Sequence, residues 1–236
     1  MTQRLEGRTA LITGASRGIG ASIAKAYAKE GAHVILLART IGGLEEVDDQ
    51  IKAQGGNATL MPIDLLKLDD LNNLGPTIAE HFGKLDIFVG NAGLLGSLGP
   101  VAMSDAKLWH KVFNVNVHAN YQLIRTLDPL LRGSDAGRAI FVTSSVAQKV
   151  VPNWGAYAAS KAALEQMVKT YATEVAHSPL KVNIVDPGAT RTDMRAEAFP
   201  GEDPTSLKDT NDLVEDFIRL AMPNCTSHGE TIRAAA

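Results

Sequence analysis

Short apolar runs alternate along the chain with longer amphipathic stretches. Thr9–Thr13 is a compact apolar run that reads as a buried strand. Ala32–Ala38, Thr59–Ile63, Leu85–Gly90, Arg138–Ser144 and Lys181–Val185 repeat the pattern. Between them, apolar positions recur at helical spacing over Ile19–Glu30, Leu44–Gln54, Leu68–Phe82, Ser104–Leu131, Tyr157–His177 and Asn211–Leu220. Gly31 and the pair Gly55-Gly56 end the first two helices. Gly75-Pro76 is a weak point in the third, and Ser104 or Asp105 caps the fourth. Gly229–Ile232 closes the series as a short last strand. Strands apolar on both faces, alternating with helices, require a sheet covered on both sides. The expected fold class is therefore α/β, three-layered and doubly wound, with a mostly parallel sheet of about seven strands. No repeat, low-complexity tract or linker divides residues 1–236, which read as a single domain.

Composition narrows the classes. A chain of 236 residues suits one sizeable core, and 45% hydrophobic with 21% charged residues is ordinary for a soluble globular protein. A net charge of −3 argues against a nucleic-acid partner. One cysteine, Cys225, forms no internal disulfide and fits a reducing setting. Met1–Arg8 has no apolar core of a signal peptide, and no run is long enough to span a membrane, so a cytoplasmic location is expected. The six histidines are scattered without metal-ligand spacing, so no metal is expected.

The first strand meets the first helix through Leu11-Ile-Thr13-Gly14-Ala15-Ser16-Arg17-Gly18-Ile19-Gly20. Gly14 permits the tight turn, Gly18 lets a pyrophosphate approach the backbone, and Gly20 lets the helix pack closely on the strand. The helix N-terminus offers free N–H groups and a positive dipole end to the phosphates. The turn as a whole, Ser16 and Ile19 included, is the expected dinucleotide cradle. A carboxylate at the tip of the second strand would hold the ribose 2′-OH of NAD. Leu36-Leu37-Ala38-Arg39-Thr40 has none. Arg39, with Arg17 inside the turn, favours a 2′-phosphate, and so NADP(H) over NAD.

Tyr157-Ala-Ala-Ser-Lys161 opens a helix, and residues four apart share a face. Bringing a phenol about three pH units below its ordinary value near 10 requires roughly 4 kcal/mol of preference for the phenolate. One cation about 4 Å away supplies about that much at an effective dielectric near 20. Lys161 is the nearest candidate. Ser144 ends the fifth strand at the carboxyl edge, where α/β folds build their sites. Its hydroxyl is placed to hold a substrate oxygen beside the phenol. Ser145 is the adjacent alternative, and strand alternation turns only one of the two inward.

These features occur in an order that resembles the short-chain dehydrogenase/reductase family in its compact single-domain form. The matching positions are Thr13-Gly14-x-x-x-Gly18-Ile19-Gly20, Asn91-Ala92-Gly93, Asn116, Ser144, Tyr157-x-x-x-Lys161, and Pro187-Gly188 followed by Thr192. They span roughly residues 8 to 190. Asn91-Ala-Gly-Leu-Leu-Gly96, Asn153-Trp154-Gly155 and Thr190–Ala196 further resemble a bacterial branch of mostly uncharacterised oxidoreductases.

The resemblance implies a Rossmann fold and a hydride-transfer enzyme acting on a small carbonyl or alcohol substrate. It implies Tyr157 as general acid in reduction and base in oxidation, and Lys161 on the nicotinamide ribose. Asn91 with Ala92 and Gly93 would lie by the cofactor ribose, Asp64 by the adenine, and Pro187, Gly188 and Thr192 by the nicotinamide. Asn116 would hold a water that links Lys161 to solvent; Asn114, two residues away, competes for that place. A homodimer or homotetramer is implied. A catalytically silent dinucleotide-binding sensor or scaffold is the alternative function. Trp154 either lines the substrate pocket or packs its loop. The Ala196–Asp209 stretch is short for a lid, and the Gly229–Ala236 tail lacks the family's closing Gly-Gly.

Overall fold

The computed structural model describes residues 3–234, so the outer two residues of each terminal segment lie outside the description. Seven strands form one sheet: β1 (Thr9–Thr13), β2 (His33–Ala38), β3 (Asn57–Pro62), β4 (Ile87–Gly90), β5 (Arg138–Val142), β6 (Lys181–Asp186) and β7 (Thr231–Arg233). Their order is β3-β2-β1-β4-β5-β6-β7, and each pairing is parallel. The chain reverses its direction of winding between β1 and β4. A crevice opens at the carboxyl ends of strands at such a switch point.

Every residue of β1, β4 and β5 is buried, which explains why these runs carry no polar alternation. Successive residues serve opposite layers. Ile12 and Leu36 join Ile23 and Phe217 under α1 (Gly18–Lys29), α2 (Ile41–Ala53) and α8 (Val214–Ala221). Leu11, Phe88 and Phe141 join Leu127 and Leu164 under α3 (Leu74–Phe82), α5 (Ala119–Gly133) and α6 (Gly155–Glu174). Phe88 and Phe141 meet edge to face with ring centres 5.4 Å apart. Each such side chain, fully buried, contributes roughly 1.5–3 kcal/mol.

Several boundaries differ from the sequence reading for identifiable reasons. The stretch expected as one helix over Ser104–Leu131 is α4 (Ala106–Phe113), a π turn at Asn114–His118, and α5. Asp105 caps α4, accepting from Leu108 N at 2.7 Å. Asn120 Nδ2 donates to Asn116 O at 2.9 Å and supports the widened turn. The stretch expected as one helix over Leu68–Phe82 is a 3₁₀ turn at Leu68–Asn73 followed by α3, so the break falls beside Gly75-Pro76, at the start of α3. Pro76 lies in the first turn of α3, where its missing N–H costs nothing. A Cβ on Gly75 would stand 2.0 Å from Thr126 O, so glycine lets α3 cross α5. Helix α2 begins at Ile41, three residues earlier than expected, and takes Gly42 and Gly43 into its first turn. Within the segment after β6, α7 (Asp193–Ala198) is an unpredicted helix, capped by Thr192.

Candidate active site

At the switch point the β1 and β4 turns are fastened to each other. Thr13 Oγ1 accepts from Asn91 N (3.0 Å) and Ala92 N (3.1 Å) and donates to Val89 O (3.3 Å). Asn91 Nδ2 donates to Thr13 O at 2.9 Å. Gly14 and Gly18 take φ of +66° and +55°, a region that side chains disfavour. A Cβ on Gly20 would stand 2.3 Å from Gly14 O, so glycine brings α1 onto the turn. The α1 N-terminus carries no acidic residue in its first turn and no side-chain cap, which leaves its N–H groups for an anion.

The turn opens on a cleft of about 700 Å³. Gly14, Ser16, Arg17, Gly18 and Ile19 line the phosphate end, with Arg39 and Asp64 beyond them. Asn91, Ala92 and Gly93 form the middle, facing Pro187, Gly188 and Thr192. Ser144, Tyr157 and Lys161 line the far end. Gly20 does not line the cleft, because it is packed behind the turn. Ser144 lies two residues beyond β5 and faces the cleft, whereas Ser145 begins a short 3₁₀ turn and does not. A crevice with backbone donors and two glycines at one end and a cation at the far side fits an elongated dinucleotide.

Some residues have partners that the sequence did not announce. Arg17 Nε lies 3.6 Å from Asp193 Oδ2, with both side chains largely exposed. Arg39 has no ion-pair partner among the described residues. Asp64 Oδ1 accepts from Leu66 N at 3.0 Å. The Thr192 hydroxyl accepts from Arg195 N at 3.2 Å, and its methyl faces Gly18 across the cleft.

Asn116 is fully buried and lies behind the cleft rather than on it. Its Oδ1 accepts from Leu94 N at 2.8 Å. Its Nδ2 donates to Leu94 O at 3.0 Å and Ser160 Oγ at 2.9 Å. Ser160 Oγ in turn donates to Tyr157 O at 2.8 Å. The side chain thus ties the Leu94 loop to the first turn of α6. Asn114 is only half-buried.

The electrostatics of the far end differ from the sequence expectation. Burial pushes the Tyr157 phenol up to about 12, a hydrogen bond with Ser144 opposes it, and Asp186 adds to the rise. The expected lowering by Lys161 does not prevail, and the geometry gives the reason. Lys161 Nζ donates to Val142 O at 2.8 Å and stands 5.8 Å from the centre of the Tyr157 ring, over its face. Burial brings Lys161 down to about 8. At neutral pH the site therefore holds a neutral phenol and a mostly charged ammonium.

The contacts of three residues were not legible in the sequence. Thr13 fastens both turns, and only its place before Gly14 hinted at that. Glu165, buried in α6, accepts from Thr143 Oγ1 at 2.9 Å and Gln148 Nε2 at 3.1 Å, which braces the loop that carries Ser144. Phe199 contacts Trp154, which both lines the cleft and packs its loop. Among the described residues, no group of three or more His, Cys, Asp or Glu side chains could hold a metal, and no helix is long and apolar enough to cross a membrane.

Comparison with known proteins places this architecture. The family model for short chain dehydrogenases matches residues 8–203. An uncharacterized oxidoreductase, YciK of Escherichia coli K12, is 43% identical over 219 residues, covering 92% of this chain and 86% of that protein. A structure described as a short chain dehydrogenase from Escherichia coli CFT073, complexed with NADPH, superposes with a TM-score of 0.96 at 41% identity and covers all of both chains. Another, from Shigella flexneri and complexed with NADP, gives a TM-score of 0.95 at 39% identity over 99% of each chain.

Proposed function

This chain belongs to the short chain dehydrogenase family, and on that premise we propose that it is an NADP(H)-dependent oxidoreductase acting at a carbonyl or alcohol carbon, with Tyr157 passing the proton. One juxtaposition carries the reading. Ser144 lines the same end of a glycine-cradled cleft as a buried phenol whose ring lies under the Lys161 ammonium. The NADP and NADPH held by the two similar structures support the choice of cofactor.

NADPH, when bound, supplies the hydride; the protein supplies position, a proton and electrostatics. The turn N–H groups and the α1 N-terminus would hold the pyrophosphate. Arg39 would meet the 2′-phosphate, with Arg17 beside it. Asp64 would lie by the adenine, Asn91 by the ribose and Thr192 by the nicotinamide. In reduction Tyr157 donates its O–H proton to the substrate oxygen, while Ser144 donates a second hydrogen bond to that oxygen. Burial keeps the phenol protonated until it is needed, and Lys161 stabilises the phenolate left behind. In oxidation the same phenolate accepts the alcohol proton. General acid catalysis of this kind contributes about 10²–10⁴-fold. Asn116 acts as a positioning residue through Leu94 and Ser160.

The shared sheet supports one folding unit over the whole chain, and the family resemblance supports a homodimer or homotetramer, which solution scattering tests. The function itself is tested by titrating NADPH and NADH by fluorescence and following NADPH oxidation over a panel of ketones, aldehydes and quinones. Turnover of a panel member with tighter NADPH than NADH binding is expected. Tight NADPH binding with no turnover would favour a silent sensor, and no binding of either nucleotide would overturn the reading.

A further inference from the structure

Beyond the proton-transfer groups, the cleft ends in an aromatic arrangement that neither the cofactor nor the fold requires. The Trp154 ring centre lies 5.9 Å from that of Tyr157 at 65°, and 5.6 Å from that of Phe199 at 34°. Phe199 is 38% exposed, yet it is held in place. The Arg195 guanidinium sits 3.9 Å over its face and is itself gripped by Glu202 through two 2.6 Å bonds. A planar fork over a ring fixes both.

The backbone before Trp154 is strained in the same cause. Asn153 is the one described non-glycine residue with positive φ, +72°. Such a conformation costs of order 1 kcal/mol and persists only where the surroundings enforce it. Here Asn153 O accepts from Gly99 N at 2.9 Å, and a Cβ on the following Gly155 would stand 2.6 Å from Val101 Cγ2. Both neighbours of Trp154 are thus committed to aiming its indole. Leu94, Val115 and Met194 add apolar surface to the cleft. Of the charged side chains that line it, Arg191 is paired with Asp209 and Arg195 with Glu202.

We infer that Trp154, buttressed by Phe199, is a specificity wall for a flat ring, and that the substrate is an aryl ketone or aryl aldehyde. The inference rests on the reduction proposed above. With the Trp154 and Tyr157 rings only 5.9 Å apart, a ring bonded directly to the carbonyl carbon already reaches the indole when the oxygen meets the phenol. A saturated ring is thicker and lacks a π face, so it loses the offset or edge contact that aromatic pairs prefer.

The test compares acetophenone with cyclohexyl methyl ketone, using kcat/KM in wild type, Trp154→Leu and Phe199→Leu, with NADPH affinity measured alongside. The expected result is a wild-type preference for acetophenone. It falls about threefold to tenfold in Trp154→Leu and by less, in the same direction, in Phe199→Leu. NADPH affinity stays unchanged. Phe199→Leu does not touch the Tyr157 ring, so it guards against local disruption. Quenching of indole emission by acetophenone in a Trp109→Phe background reads ring binding without turnover. Saturable quenching with no reduction of any carbonyl would uphold the wall and overturn the proposed reaction. Equal preference in all three proteins, or a shift of NADPH affinity in Trp154→Leu, would overturn the wall.

Discussion

Replacing Gly20 with alanine probes the cradle at its tightest contact. The added Cβ would stand 2.3 Å from Gly14 O and 2.5 Å from Asn91 Nδ2. Neither neighbour can yield cheaply. Gly14 O is backbone in a turn with positive φ, and Asn91 Nδ2 is bonded to Thr13 O at 2.9 Å. Helix α1 must therefore move away from the turn. Overpacking of this kind costs about 1–3 kcal/mol. For a chain of this length that corresponds to a fall in Tm of roughly 2–12 °C. The same movement withdraws the α1 N-terminus from the phosphates. Losing one charge-assisted hydrogen bond, about 1.5–3 kcal/mol, weakens NADPH binding by about tenfold to a hundredfold. Differential scanning fluorimetry and NADPH fluorescence titration read the two effects. Gly133→Ala, where the new methyl meets nothing within 4 Å, is the control and should leave both values near wild type. A Gly20→Ala protein with wild-type Tm and wild-type NADPH affinity would refute the argument.

Three further outcomes follow from the site and the core. Arg39→Asp should weaken NADPH binding at least about tenfold more than NADH binding, since it removes a donor to the 2′-phosphate and adds repulsion; equal weakening in a titration of both would remove the assignment. Because burial brings Lys161 down to about 8, its ammonium persists below that pH and is lost above it. The kcat/KM for reduction should therefore decline as pH rises through 8, and a profile flat to about pH 9.5 would contradict the role of the charge. Asp86 is nearly buried, and burial pushes it up. Bonds from Ser134 Oγ, Thr9 N and Lys84 outweigh that and hold its carboxyl below the usual range. Its stabilising effect is thus present above the unfolded value of 3.8 and lost as pH falls through the folded one. Asp86→Asn should cost about 1.5–3 kcal/mol near neutrality, and urea titrations should show the gap from wild type narrowing toward pH 3; a constant gap would count against the charge.

Much of this architecture could be read from hydrophobic pattern alone, because buried parallel strands have no other compact signature. The β1 run Thr9–Thr13 is found where the pattern puts it, and the glycine turn follows with its φ values as the spacing requires. What escaped was set by contacts distant in sequence. The π turn at Asn114–His118 depends on Asn120 reaching back to Asn116, and helical periodicity is blind to it. Gly75 marked the break in Leu68–Phe82, but its place at the crossing of α3 and α5 was not legible, since Thr126 lies 51 positions away. The α7 helix is short and framed by Pro and Gly, so its Thr192 cap carried too little signal. At the site, residue identity pointed to Ser144, Tyr157 and Lys161 together, but not to the direction of the Tyr157 shift. That depends on where the Lys161 ammonium points, and the Val142 carbonyl decides it.

Tyr157→Phe is the most direct test of a phenol that carries the proton in this cleft. The variant keeps the ring against Trp154 and under Lys161 and removes the hydroxyl alone. Steady-state NADPH oxidation with a carbonyl compound turned over by the wild type should fall by at least about a hundredfold. NADPH should bind as in the wild type. A Tyr157→Phe protein that turns over near the wild-type rate would contradict the account.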